Sequence, residues 1–195
     1  MMDYAAYYDQ FGLPGDIQEL LAFRDARGRR FVLTTLAMGQ RQAVSVAVGC
    51  TRRIKDFPRP STMGDDDCID NTMFVGTREE VTEAAKEFIV RSRQVNATLN
   101  EVSASEDIDR AVQRLLCNEG DWLGARYDFV GKTVRLTEKT HSKIQHALKL
   151  VQQVMRARQL ATVFGLLFFA SSVIDLNLAC RFNVLQFYRR FSADV

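Results

Sequence analysis

The chain has 195 residues, enough for one sizeable core or two small ones. Hydrophobic residues make up 47% of it, a globular composition that excludes disorder. A formal net charge of +2 is too small to name nucleic acid as a partner, so any such argument must rest on local basic clusters.

The first segment, MMDYAAYYDQFG, lacks the basic flank and apolar run of a signal peptide. It crowds aromatics around the first carboxylate, Asp3, and residues 2–8 are read as a strand. Pro14-Gly15-Asp16 is a turn into a helix, with Asp16 as the expected N-cap and Glu19 as its capping-box partner. Asp25-Ala26-Arg27-Gly28 reads as a hairpin turn, and Phe31-Val32-Leu33 as the returning strand. Leu36–Gly39 is a short loop, Gln40–Ile54 a helix of small and β-branched residues, and Phe57–Gly64 a loop holding Pro58 and Pro60.

Gly64–Gly76, GDDDCIDNTMFVG, is the most unusual stretch. Asp65, Asp66, Asp67 and Asp70 run straight into the apolar Thr72-Met73-Phe74-Val75. Mutual repulsion there calls for a cation, and oxygen ligands suit a hard one. The plainer reading is a solvated acidic loop before a strand.

Thr77 caps a helix over Arg78–Ser92, whose apolar stripe is Val81, Ala84, Ala85, Phe88 and Ile89. Ala97-Thr98-Leu99 is a short strand. Ser105–Asn118 is a helix with Ser105 as the expected N-cap and acids in its first turn. Trp122–Tyr127 and Thr133–Leu136 are strands of a hairpin. Thr137-Glu138-Lys139 opens a helix expected to reach Gln159, with a basic face of Lys139, Lys143, Lys149, Arg156 and Arg158. A final helical region spans Leu160–Phe191. Its apolar run, to Ile174, falls short of the ~20 residues a membrane span needs, so it is read as a buried helix and no membrane partner is expected. The four cysteines are scattered with no C-x-x-C pair, which argues against zinc and for free thiols in a reducing, intracellular compartment, cytoplasm or nucleus.

The element order gives an α+β chain. Strands near 2–8, 31–35, 70–75 and 97–100 are expected to form one antiparallel sheet, with helices 16–23, 40–54 and 78–92 on one face. Asp3 and Asp70 are expected at neighbouring strand ends. Three regions follow: a palm-like domain over 1–120, a hairpin and long helix over 121–159, and a helical region over 160–195.

Four short motifs stand in order. They are Asp3-Tyr4-Ala5-Ala6-Tyr7-Tyr8-Asp9-Gln10, then Leu36-Ala37-Met38-Gly39, then Cys68-Ile69-Asp70-Asn71, then Trp122-Leu123-Gly124. With the helix and strand of Arg78–Leu99 between the last two, the chain resembles the palm of a reverse transcriptase. It is most similar to those of tyrosine-recombinase retrotransposons, the DIRS, Ngaro and VIPER-like group, and the resemblance covers about Asp3 to Gln159.

The resemblance implies an RNA-directed DNA polymerase that uses two Mg2+ (or Mn2+) ions, with Asp3 and Asp70 as catalytic ligands and the Tyr4 carbonyl completing the set. Tyr8 would be the steric gate against a 2′-hydroxyl. Tyr8, Gln10 and Gly39 would lie at the nucleotide. Trp122, Leu123 and Gly124 would grip the primer end, and Lys139 and Lys143 would follow template–primer phosphates. The implied partners are an RNA/DNA template–primer and a dNTP. In the family a fingers region precedes the first motif; this sequence opens at the motif, and the resemblance implies that the fingers are missing from it. Ala37 replaces a proline, Cys68 a tyrosine, and no lysine stands at Asn100-Glu101. These departures imply a truncated copy inactive alone, or a non-catalytic remnant that at most binds nucleic acid.

Overall fold

The structure is a computed structural model and describes residues 1–150 and 157–175. The chain divides into two compact units, Met1–Cys117 and Asn118–Val195.

The first unit begins with β1 (Met2–Asp3), a 3-10 turn over Tyr7–Gln10, α1 (Gly15–Leu20), β2 (Phe23–Arg24) and β3 (Arg30–Phe31). It continues through α2 (Ala43–Ile54), β4 (Gly64–Cys68), β5 (Asn71–Val75), α3 (Arg78–Gln94) and α4 (Ile108–Leu115). The central sheet is antiparallel with strand order β1-β5-β4. Leu99 adds a single bridge to Tyr4.

Several expectations need correction. The acidic run is itself a strand, β4, although Gly and Asp have poor strand propensity; pairing with the apolar β5 overrides it. The 31–35 segment does not join the central sheet. It closes a separate two-stranded hairpin with β2 through the expected Asp25–Gly28 turn. The first strand is short because Ala6 turns left-handed at φ +43° and starts the 3-10 turn. Pro14, not Asp16, occupies the N-cap position of α1, in an extended conformation (φ −56°, ψ 150°) and with no side-chain cap hydrogen bond. Asp107, not Ser105, caps α4, accepting the Arg110 N–H at 2.9 Å.

The α3 reading holds closely. Thr77 Oγ1 accepts the Glu80 N–H and Glu80 accepts the Thr77 N–H, a complete capping box. The predicted stripe goes inward, with Ala84, Ala85, Phe88 and Ile89 all buried. They pack with Tyr4, Tyr7, Ala47, Ile54, Phe57 and Phe74 into one core. The Tyr4 and Tyr7 rings stack at 4.3 Å, and Phe88 meets Phe74 edge-on at 5.8 Å.

The second unit is an antiparallel sheet of β6 (Glu119–Trp122), β7 (Ala125–Asp128) and β8 (Thr133–Leu136), then α5 (Glu138–Leu150) and α6 (Ala157–Val173). Trp122–Tyr127 is therefore two strands, not one. Leu123 at φ +48° and Gly124 at φ +90° form the tight turn between them. The helix expected from Thr137 is seen over Glu138–Leu150 and α6 begins its described span at Ala157, while residues 151–156, through which the expected helix would run to Gln159, lie outside the described residues. The basic-face position Arg156 and the reading beyond residue 175 lie outside the described residues. No described helix is long and apolar enough to cross a membrane.

Candidate functional site

Register determines which side chains share a face. Met2 pairs with Thr72 and Asp3 with Asn71, while Asp67 pairs with Thr72 and Cys68 with Asn71. Alternation then puts Met2, Asp65, Asp67, Thr72 and Phe74 on the face packed against the helices. Asp3, Asp66, Cys68, Asn71 and Met73 lie on the opposite face. Asp70 follows Ile69 in the β4–β5 turn, and its carbonyl accepts the Tyr4 N–H at 3.1 Å. Asp3 and Asp70 are thus brought to the same end of the sheet, as the strand order predicted.

The two carboxylates interact. Burial raises the Asp3 pKa above the usual carboxylate value, the Asn100 hydrogen bond opposes that rise, and the charges of Asp70 and Glu101 add to it. Asp3 Oδ2 accepts from Asn100 Nδ2 at 2.7 Å, and the Asp3 N–H donates to Glu101 Oε2 at 2.9 Å. Asp3 Oδ1 is buried and has no hydrogen-bond partner among the described residues. Asp70 Oδ1 accepts from Asn71 Nδ2 at 3.1 Å. An orphaned carboxylate oxygen beside a second carboxylate is a hard-donor pair that fits Mg2+ or Mn2+. Among the described residues, no group of three or more His, Cys, Asp or Glu is arranged to hold a metal. The side chains brought together here would offer such an ion two carboxylates.

The turn carrying Asp70 is fixed from below. Ile69 has φ +57°, a left-handed conformation that a β-branched residue adopts only under constraint. Fully buried Thr51 of α2 lies 2.9 Å from the Ile69 carbonyl through Oγ1, and Tyr7 Oη lies 2.8 Å from the same Oγ1. Burial pushes the Tyr7 hydroxyl up to about 12, so it stays a donor. The chain of donors runs Tyr7 to Thr51 to Ile69.

The rest of the acidic run has a different partner from the one expected. Lys55, only 2% exposed at the end of α2, places Nζ 2.5 Å from both Asp65 Oδ2 and Asp67 Oδ1. Arg59 Nη1 reaches Asp65 at 3.0 Å, and Thr72 Oγ1 donates to Asp67 at 3.1 Å. Burial raises the Asp65 pKa, but the Lys55 hydrogen bond and charge, with those of Arg59, override it and lower the value. The compensating cation for Asp65 and Asp67 is thus an ammonium, not a metal.

The remaining residues named from sequence fall into two places. Tyr8 is half-buried against the core. Gln10 is bound to backbone: its amide nitrogen donates to the Ala5 and Thr98 carbonyls, and its oxygen accepts the Thr98 N–H at 2.8 Å. That makes it a brace between the first motif and residue 98. Gly39 is exposed at φ +94°, with open space where a Cβ would sit.

In the second unit, Leu123, Gly124, Lys139 and Lys143 line one cavity of about 590 Å³ together with Arg126 and Thr137. The Gly124 carbonyl accepts the Thr137 N–H at 3.0 Å, and a Cβ on Gly124 would meet Thr140 Oγ1 at 2.7 Å. The turn is thereby clamped to the first turn of α5. Trp122 is buried at 4% exposure under this turn rather than facing the cavity mouth. Lys55, Thr51 and the Gln10 brace are contributions that sequence reasoning did not find. A lone lysine ten residues before an acidic run carried no local signal.

The fold has counterparts among solved structures. The chain matches the foamy viral protease-reverse transcriptase in complex with an RNA/DNA hybrid, with TM-score 0.61 and 18% identity, over 87% of this chain and 20% of that one. It matches the same type of protein in complex with double-stranded DNA at TM-score 0.59 and 18% identity, over 87% of this chain and 32% of that one. The fold is reverse-transcriptase-like. The chain spans between a fifth and a third of those proteins' length. No protein-family model and no curated protein sequence matches it.

Proposed function

We propose that this chain is the palm-bearing part of an RNA-directed DNA polymerase of a retrotransposon of the DIRS, Ngaro and VIPER-like group. The observation carrying the reading is the pair Asp3–Asp70 at one end of the sheet, with Asp3 Oδ1 buried and without a hydrogen-bond partner among the described residues. The foamy viral proteins of similar fold were captured on nucleic acid, which supports a template–primer as partner.

Asp3 and Asp70 would hold the divalent ions, Mg2+ or Mn2+, with the Tyr4 carbonyl. Such ions supply Lewis acidity at the primer hydroxyl and neutralise triphosphate charge. Asn100 orients Asp3, and the Asp70 turn is held by Thr51. Tyr8 would sit under the sugar, with Gly39 allowing close approach of the nucleotide. Gln10 would act through its brace on the first motif. Leu123 and Gly124 over Trp122 would grip the primer end, with Lys139 and Lys143 on phosphates.

A second reading, a non-catalytic protein that binds nucleic acid, is favoured by one finding. Two carboxylates of the acidic run are consumed by Lys55, and no three-ligand cluster remains among the described residues.

Titration with Mg2+ or Mn2+ followed by NMR separates them. Millimolar metal is expected to shift Asp3 and Asp70 resonances, and Asp70→Ala to abolish both responses. Protons compete for the site, so binding should weaken as pH falls through the raised Asp3 value. Primer extension on an RNA template by the 195-residue chain alone is expected to show no processive synthesis, because polymerisation also depends on surfaces that position the triphosphate and template. No metal response at either carboxylate would leave only the second reading.

A further inference from the structure

The β2–β3 hairpin stands apart from the central sheet and from every residue assigned above. Its rungs pair Phe23 with Phe31 and Arg24 with Arg30. Both rings therefore lie on one face and both arginines on the other. The rings stack at 5.6 Å with an interplanar angle of 21°, yet Phe23 is 52% and Phe31 41% exposed. Arg29, held by Asp25 at 2.7 Å, places its Cζ 5.6 Å from the Phe31 ring centroid.

The surrounding charge is one-sided. Residues 19–31 carry Arg24, Arg27, Arg29 and Arg30 against Glu19 and Asp25. Arg29 is neutralised by Asp25 and Arg30 by Glu19. Arg24 donates to the Gly28 carbonyl at 2.7 Å and makes no ion pair with a described carboxylate. Arg27, at the turn, makes no ion pair with a described carboxylate.

We propose that this hairpin is a stacking platform for the unpaired bases of a single-stranded nucleic acid, with Arg24 and Arg27 on its phosphates. Every base has a π-face, so exposed aromatic rings bind single strands with little regard to sequence, and flanking cations follow the backbone. A duplex keeps its bases stacked on one another and offers the rings nothing. Arg27 at the turn and Arg24 on the reverse face of the same two-rung hairpin flank the ring face with positive charge, which matches a polyanion better than an apolar protein surface. The inference rests on the nucleic-acid reading above and adds to it a second contact surface, selective for unpaired strands.

Fluorescence anisotropy in EDTA tests it without any dependence on metal. The probes are labelled dT20, rU20 and a 20-base-pair duplex, with the 195-residue chain throughout. Phe23→Ala/Phe31→Ala is expected to weaken single-strand binding at least about tenfold, in line with stacking energies, and to leave duplex binding nearly unchanged. Phe23→Trp/Phe31→Trp should retain single-strand binding, with its indole fluorescence quenched by bound bases. Both rings are exposed, so these variants should fold, and circular dichroism checks that. Arg24→Gln/Arg27→Gln should flatten the salt dependence. Unchanged single-strand affinity in the alanine variant, with duplex binding intact, overturns this inference alone. The same holds if that variant loses only self-association in light scattering, which would make the face a protein interface. A chain that binds neither single strands nor duplex overturns the nucleic-acid reading and this inference with it.

Discussion

Thr51 is the residue on which the candidate site depends most directly without belonging to it. Its hydroxyl is fully buried, 2.9 Å from the carbonyl of Ile69, the residue held left-handed just before Asp70. A β-branched residue there costs about 1–2 kcal/mol, which the surrounding hydrogen bonds must offset. Thr51→Val keeps the shape but removes the donor, stranding the Ile69 carbonyl and weakening the partnership of Tyr7. The expected loss is about 1–3 kcal/mol, the usual cost of an unsatisfied buried polar group. It should appear as a lower unfolding midpoint in urea. The sharper readout is metal titration: in Thr51→Val the Asp70 response should need more metal, while Thr51→Ser keeps wild-type behaviour. Reduced stability with an unchanged titration would mean that Thr51 holds the fold and not the site.

At the scale of the element, β4 poses the physical problem. A strand reading Gly-Asp-Asp-Asp-Cys should repel itself and pair badly, yet it forms five rungs with β5. Lys55 resolves this from the end of α2, with its Nζ between Asp65 and Asp67 and 5.5 Å from the centroid of the Phe74 ring. Removing one partner of a buried pair is costly because the other charge stays behind. Lys55→Met is expected to cost roughly 3 kcal/mol, below the fully buried limit because both carboxylates remain partly open to water. Adding Asp65→Asn and Asp67→Asn should recover part of that loss. The sign with pH follows from the lowered Asp65 value. Its contribution is present above the unfolded carboxylate value of about 3.9 and is lost as pH falls through the folded one. Urea denaturation should therefore show a wild-type advantage over Lys55→Met at pH 7 that shrinks in acid. A gap independent of pH would count against the ion pair as the source of strand stability.

The molecule as a whole is two compact units, and the core that positions Asp3 and Asp70 lies entirely within the first, from Met2 to Val112. A fragment ending at Cys117 should therefore fold cooperatively, with dispersed amide resonances, and keep the metal response of both carboxylates. It lacks Lys139 and Lys143, so its duplex affinity should fall less steeply with salt, by about 0.9 in log–log slope for each phosphate that those lysines neutralise. An unfolded fragment would place part of the first unit's stability in the second. A fragment with the full chain's salt slope would remove Lys139 and Lys143 from the nucleic-acid surface.

What the sequence settled by itself was local. The Thr77 cap, the α3 stripe and the Asp25–Gly28 turn are each written within one or two turns of chain. Capping, periodicity and turn chemistry act over that distance. The α+β class followed from their order. Only tertiary structure decided the rest, because the deciding partners are far apart in sequence. Asp3 meets Asn100 and Glu101, Gln10 clips to Thr98, and Thr51 reaches the turn before Asp70. The acidic strand exists because an ammonium from another element neutralises it, and no propensity of Gly or Asp encodes that. Long-range pairing overrode local preference where burial made an uncompensated charge too costly to leave unmatched.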